Sequence, residues 1–353
     1  MSDSIALTRP KSEDERLGDD RAVALWLFVV AAMIFVMVVI GGITRLTESG
    51  LSITEWKPIS GVLPPLDAAS WQREFDLYKQ IPEFQKLHPD MTLAEFRGIF
   101  WWEYFHRLWG RLIGVAFALP GLWLFLRRRI RPELRARLLG VFLLGGLQGA
   151  LGWFMVKSGL SQRTDVSQYR LVAHLLMALA IYSYILWTAF GLIRPVAREL
   201  PGTASLRRHT ALLLLLVVGM LTTGGFTAGL DGGKIYNTFP LMGGALVPGD
   251  LLALEPIWRN PFENPTAAQF IHRWLAMIVA VTALALYLRR ERLPERARLP
   301  LDLVGIMVAV QVMLGISTLL LVVPIPLAAF HQAGAVMVLT LTLWALHSLR
   351  GAR

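Results

Sequence analysis

The stretch EYFHRLWGRLIGVAFALPGLWLFL, residues 103–126, decides the fold. From Leu112 onward it is apolar enough for hydrocarbon, yet it opens with a carboxylate, a histidine and two arginines. Ionisable groups at membrane depth cost about 2.5–3.5 kcal/mol each on insertion scales, so by default they mark a functional site. At a helix end the same side chains snorkel into the headgroups at little cost. One such segment does not separate these readings. A second, QFIHRWLAMIVAV at residues 269–281, repeats the pattern in the other half of the chain and makes a site the stronger expectation.

Composition agrees with a polytopic membrane protein: of 353 residues, 55% are hydrophobic and 17% charged. The net charge of +10 comes largely from arginine clusters between apolar runs, where they face anionic lipid, so nucleic acid is not expected as a partner. Cysteine is absent, which excludes disulfides, iron–sulfur clusters and thiolate zinc sites. Any metal must then be held by His, Met or carboxylate. The opening MSDSIALTRPKSEDERLGDD mixes acidic with basic residues, unlike a cleavable signal or a transit peptide. Residues 1–21 are expected to be a cytoplasmic tail ahead of a true first span.

Apolar runs able to cross about 30 Å of hydrocarbon fall at 22–42, 106–126, 137–157, 170–191, 210–230, 270–288, 301–323 and 327–347. Arginine-rich loops follow the second, fourth and sixth runs, so the positive-inside rule puts both termini in the cytoplasm. The long loops 43–105 and 231–269 then lie outside. Their aromatics, among them Trp56, Trp71 and IFWWEYF at residues 99–105, suit loops folded back on the interface.

The chain repeats itself. GGITRLTESG (41–50) answers to GGFTAGLDGG (224–233), QGALGWFMVKSGL (148–160) to QVMLGISTLLLVV (311–323), and RLVAHLLMALA (170–180) to AAFHQAGAVMV (328–338). The expected fold is an all-α integral membrane protein of eight transmembrane helices. They form two tandem four-helix bundles, 22–191 and 210–347, related by a pseudo-twofold axis along the membrane normal.

Of 7 histidines, His88, His209 and His347 read as solvated or interfacial. The others form a set. His106, His174, His272 and His331 fall in the first turn or two of spans two, four, six and eight, all toward the outer face, one pair per half. Two imidazoles suit Zn, Cu or Fe, but a closed zinc site needs further ligands, whereas trans imidazoles complete the coordination of a heme iron. The alternative is that each histidine merely hydrogen-bonds across helices. Arg107 and Arg273 follow their histidines and Arg111 shares a helical stripe with Arg107, which suits heme propionates. Arg45 and Arg170, at outer helix ends, fit propionate binding and snorkelling equally. The halves differ at Glu103, three residues before His106, because Gln269 holds the matching position. Glu103 reads as a proton acceptor or electrostatic stabiliser, or else as an ion-pair partner of Arg107 or Arg111. One reacting site and one accessory site are expected.

The motifs GGITRLTESGLSITEWKPISGVLPP, FWWEYFHRLWGR, QGALGWFMVKSGL, YRLVAHLLMA, AGLDGGKIYNTFPLMGG, ENPTAAQFIHRWLA and LAAFHQAGA together resemble the heme A synthase family, in its proteobacterial and mitochondrial form. The resemblance runs over nearly the whole chain after Ala22. It implies oxidation of the C8 methyl of heme O to a formyl group by successive hydroxylations, giving heme A for terminal oxidases. It implies that His106 and His174 hold the substrate heme with Glu103 as the essential carboxylate, and that His272 and His331 hold a permanent heme b. A cysteine pair found in the first outer loop of some relatives is missing, so no thiol can carry electrons into this chain. The implied setting is a bacterial inner membrane with the heme sites near the periplasmic face. The implied partners are heme O synthase, cytochrome oxidase assembly factors and an electron acceptor of unspecified identity; a homo-oligomer is compatible. Two other classes use similar features. A diheme electron-transfer cytochrome needs the histidines but not Glu103, and a parallel-repeat transporter wants its charges nearer mid-membrane.

Overall fold

The computed structural model describes residues 11–57, 60–160, 164–193 and 203–350. Residues 1–10 of the expected tail and 194–202 of an arginine-rich loop lie outside the described residues. The helices are α1 (Glu13–Leu46), α2 (Ala68–Tyr78), α3 (Pro82–Leu87), α4 (Leu93–Leu126), α5 (Pro132–Gly159), α6 (Gln168–Ile193), α7 (Ala204–Gly229), α8 (Asn260–Glu263), α9 (Pro265–Tyr287), α10 (Glu295–Leu320) and α11 (Ile325–Ser348). Among the described residues, 8 of these are long and apolar enough to cross a membrane, namely all except α2, α3 and α8. The chain is an all-α protein of eight membrane-spanning helices.

Two helices overrun the bilayer, and their caps explain where. α1 starts at Glu13, inside the stretch expected to be tail, because Ser12 and Glu15 form a capping box. At 34 residues it is about 51 Å long at 1.5 Å per residue, far more than the hydrocarbon needs. Its projecting acidic turns meet the α4–α5 turn, where Arg131 Nε donates to Asp20 Oδ1 at 2.8 Å. α4 starts at Leu93 on a second capping box, Thr92 with Glu95, so its first turns stand outside the membrane. His106 therefore sits in the fourth turn of its helix, where the apolar run begins.

Within α4, Pro120 supplies no N–H for the carbonyl four residues back. That carbonyl, Ala116 O, instead accepts from Trp26 Nε1 of α1 at 2.9 Å. The neighbouring Gly121 makes the approach possible, since a Cβ there would lie 2.8 Å from the Trp26 ring. A helix-breaking pair thus becomes the notch that docks α1 on α4.

In the first half α1 packs on α4 and α6, and α5 packs on α4 and α6. In the second half α7 packs on α9 and α11, and α10 packs on α9 and α11. Contacts between the halves join α6 with α7, α1 with α11, and α6 with α11. Outside the spans, Trp71, Phe75 and Tyr78 of α2 bury against Phe96, Phe100 and Tyr104 of α4, roofing the first half with aromatics. The outer segment of the second half is held by polar side chains instead. Asn264 Nδ2 donates to Asp250 O at 2.8 Å, and Asp250 accepts from Thr266 Oγ1 at 2.6 Å and Tyr236 Oη at 2.9 Å.

Candidate functional site

Each of the four histidines rests on a glycine of a neighbouring helix. A Cβ on Gly41 of α1 would lie 3.1 Å from His106 Cε1, and one on Gly224 of α7 would lie 3.1 Å from His272 Cε1. Gly152 of α5 and Gly315 of α10 would each bring a Cβ to 2.9 Å from Cε1 of His174 and His331. The four seats occupy matching positions of the internal repeat, and at each one a methyl group would fill the space that the ring uses. Sequence reading aligned these glycines as repeats without assigning them a task. The only signal the sequence offers is that each of these glycines recurs at the same repeat position in the other half.

The second glycine of each GG pair has its own role. A Cβ on Gly42 would overlap the Gln332 side chain at 1.8 Å from Oε1, and Gln332 Nε2 donates to Val38 O of α1 at 2.8 Å. A Cβ on Gly225 would lie 2.9 Å from Val172 Cγ2 and 3.6 Å from Leu175 Cδ2 of α6. Leu175 is the repeat equivalent of Gln332. In each double glycine, one residue seats the histidine of its own half and the next admits a side chain of the other half.

Within the second half the His272 and His331 rings have centroids 6.4 Å apart and planes at 87°. Two metal–nitrogen bonds of about 2 Å plus the two ring radii come to about 6 Å, so the spacing suits one metal atom between the imidazoles. His106 and His174 are close enough to interact electrostatically. Gln148 Nε2 donates to His174 O at 2.9 Å, and Gln311 Nε2 donates to His331 O at 2.7 Å, the same tie in both halves. Among the described residues no three His, Cys, Asp or Glu side chains converge on a metal position. A donor set of histidine pairs on glycine seats fits a metal whose other ligands come with it, as in a metalloporphyrin.

Glu103 is 3% exposed and all its acceptor positions are in use. Oε2 accepts from Ser52 Oγ at 2.8 Å and from the Ile53 N–H at 2.6 Å, while Oε1 accepts from Arg107 Nε at 3.0 Å and Nη2 at 2.6 Å. At the matching place Gln269 Nε2 donates to the carbonyls of Gly232 and Tyr236 at 2.7 and 3.3 Å, and Oε1 accepts from Arg273 at 3.2 Å. Each residue clamps its own outer loop, with opposite hydrogen-bonding polarity.

The arginines singled out from sequence are largely committed to the loops. Arg107 also donates to Ile53 O and Glu55 O at 2.7 and 3.1 Å and lies over Trp56. Arg111 donates to Lys57 O at 2.9 Å. Arg273 donates to Thr238 O and Tyr236 O at 2.8 and 2.5 Å. Arg45 crosses between the halves to Asp231 at 3.0 Å and Ala228 O at 2.9 Å, and Arg170 lies 4.6 Å over the Phe154 ring. Of the three histidines set aside, His88 lies 3.5 Å from Glu48, and His209 Nε2 lies 3.1 Å from Thr282 O. His347 departs from expectation: it is buried, 3% exposed, with Trp187 edge-on at 5.2 Å.

The model of a family described as cytochrome oxidase assembly protein (COX15-CtaA) matches residues 24–343. The chain belongs to the COX15-CtaA family. It is 50% identical over 349 residues to a heme A synthase of Rhodospirillum centenum, covering 98% of this chain and 93% of the relative. It is 48% identical over 348 residues to one of Nitrosospira multiformis, with 97% and 98% covered. With the heme A synthase of Rhizobium johnstonii the identity is 49% over 344 residues, with 95% and 93% covered. These alignments span the COX15-CtaA chain almost end to end, so both histidine pairs and Glu103 lie inside the matched region.

Proposed function

We propose that this chain is a heme A synthase, an oxidoreductase that converts heme O to heme A by oxidising the C8 methyl group to a formyl group in the bacterial inner membrane. The observation that carries this reading is the inequality between two otherwise matching sites: two glycine-seated histidine pairs, with a buried carboxylate above one and an amide above the other. His106 and His174 hold the substrate heme, and His272 and His331 hold heme b, which supplies one-electron redox chemistry when bound.

Glu103 is the residue that answers charge developing at the substrate. Its carboxylate is fixed by four hydrogen bonds, so it can stabilise a cationic carbon without rearrangement, whereas taking a proton from attacking water requires it to give up one of the four. Arg107 offsets its charge and ties the pair to Ile53 and Glu55 of the segment that follows α1. Arg111 and Arg273 line the outer mouths in the same way. For Arg45, Arg107, Arg111, Arg170 and Arg273 to bind propionates they would exchange present partners for the ligand.

We also infer that the halves, 22–191 and 210–347, are two four-helix bundles related by a pseudo-twofold axis along the membrane normal. Supporting this, each half closes its own ring of helix contacts, and the contacts of α6 with α7 and of α1 with α11 exchange under that operation. Both termini lie in the cytoplasm, consistent with the start of α1 meeting the arginine-rich α4–α5 turn. Heme O synthase, oxidase assembly factors and an electron acceptor are the partners this role requires.

The test is expression in a host that makes heme O but no heme A, followed by chromatography of extracted hemes. Heme A in the wild type, none with Glu103→Gln and heme b in both is the expected result. Heme b without heme A in any variant, with heme O and an acceptor supplied, would mark an electron-transfer cytochrome instead.

A further inference from the structure

The histidine seats match between the halves, but the residue beside each first seat does not. Thr223 precedes Gly224, and its Oγ1 lies 2.9 Å from His272 Nδ1. The same hydroxyl donates to Met220 O at 3.2 Å, so its lone pairs are left to accept from the ring. With the hydroxyl proton on that carbonyl, the imidazole carries its own proton on Nδ1 and keeps the Nε2 lone pair for a metal. In the first half the residue preceding Gly41 is Ile40. An isoleucine has no acceptor to offer, and His106 Nδ1 is buried with no hydrogen-bond partner among the described residues. Since Gly41 and Gly224 stand at the same 3.1 Å from their rings, the backbone is equivalent and the hydroxyl is the difference. The other histidine of each pair differs as well: beside the carbonyl ties that the halves share, Gln311 Nε2 lies 3.1 Å from His331 Nδ1, whereas Gln148 Nε2 lies 3.4 Å from His174 Nε2.

We propose that Thr223 is a positioning residue that makes the His272/His331 site the one that retains its heme, and that Ile40 at the duplicated position leaves the His106/His174 site able to release its product. The inference rests on the ligand assignment made above. A heme A synthase must hold one heme through every turnover and exchange the other. A locked imidazole slows rebinding-free loss of the metal, and outer hydrogen bonds of this kind are worth about 10–100-fold in metal affinity. An imidazole free to turn about its side-chain bonds has no such hold.

The experiment uses the full-length protein purified with its resident heme. Release is followed by transfer to apomyoglobin, and the midpoint potential of the heme that remains is measured alongside. Thr223→Val is expected to speed transfer by about 10–100-fold and to shift the potential upward, because a ligand relieved of its Nδ1 acceptor donates less charge to ferric iron. Thr223→Ser, which keeps the hydroxyl, should restore both values. With heme A loaded at the first site, Ile40→Thr should slow its release and leave the potential of the second heme unchanged. Unchanged release and potential in Thr223→Val would overturn the proposal, as would equal changes in the Val and Ser variants, which signal packing alone. A bound heme whose spectrum survives His272→Ala would overturn the ligand assignment itself and this inference with it.

Discussion

The two halves place their histidines on the same frame and surround them differently. Glycine seats, glutamine ties and helix contacts recur in register. The carboxylate, the hydroxyl at the first seat and the outer cover do not. The first half is roofed by buried aromatics on short helices and carries a clamped acid. The second is closed by amides that bind backbone and by an aspartate that accepts from a threonine and a tyrosine. The repeat places a histidine pair in each half, and under the proposed function the residues around each pair decide whether what is held reacts or stays.

The sharpest way to break that comparison is to remove one ligand from each half. His272→Ala should lose the resident heme b and with it all conversion of heme O, whereas His106→Ala should lose conversion and keep the heme b spectrum. Pyridine hemochrome quantitation and reduced-minus-oxidised spectra of the purified variants distinguish the two. Loss of the same heme from both variants would mean that the halves form one composite site.

A smaller perturbation acts through the seats. In Gly315→Ala the new methyl would stand 2.9 Å from the His331 ring, closer than carbon atoms pack, so the imidazole must shift. Overpacking of this kind costs about 1–3 kcal/mol, which should appear as weaker heme b retention with the first site unaffected. Gly152→Ala should do the converse, lowering occupancy by substrate while the heme b spectrum stays intact. Equal effects of both variants on heme b would show that the seats are not private to their halves.

The eight spans were legible, and the histidines and the repeat could be singled out, because hydropathy and spacing are local properties of the chain. The glycine seats were quoted with the repeats but not understood, since nothing in a linear sequence says which ring a glycine faces. The apolar runs mark the spans but not the helix ends, since capping boxes carry α1 and α4 beyond the length that hydrocarbon requires. His347 looked interfacial by position and is buried, because Trp187 and Phe190 of another helix cover it. The partners of Arg107, Arg111 and Arg273 were not legible, because the carbonyls that accept from them come from loops with no periodic signal.

Exchanging the clamp residues gives a third, still smaller test. In Gln269→Glu a carboxylate would face the carbonyls of Gly232 and Tyr236, which now accept from the amide. Leaving buried acceptors opposed costs about 1–3 kcal/mol, and more for a charge. The expected outcome is a lower thermal midpoint and no second site of heme O conversion. Conversion at the second site would show that a carboxylate above a histidine pair suffices for reaction.

The mildest difference lies in how the two outer covers respond to pH. Glu83 of α3 is 4% exposed and its Oε2 has no hydrogen-bond partner among the described residues. Burial first, and then the charges of Glu103, Glu48 and Asp165 against that of Arg45, push its carboxyl up to about 8 from an ordinary 4.5. A carboxyl raised in the folded state favours the fold while protonated, so its contribution is complete below about 4.5 and is lost as pH rises through about 8. Asp250 in the second cover has the opposite sign. Hydrogen bonds from Thr266 and Tyr236 hold it below its ordinary value, so its contribution is present above 3.8 and fades only as pH falls through that lowered range. Hydrogen exchange of the two covers at pH 6 and pH 9, corrected for intrinsic rates, should therefore show α2 and α3 loosening at the higher pH while segment 231–264 does not. Glu83→Gln should abolish that loosening, because an amide cannot ionise. If α2 and α3 loosen equally in the variant, the buried carboxyl is not the cause, and the difference between the covers reduces to their packing.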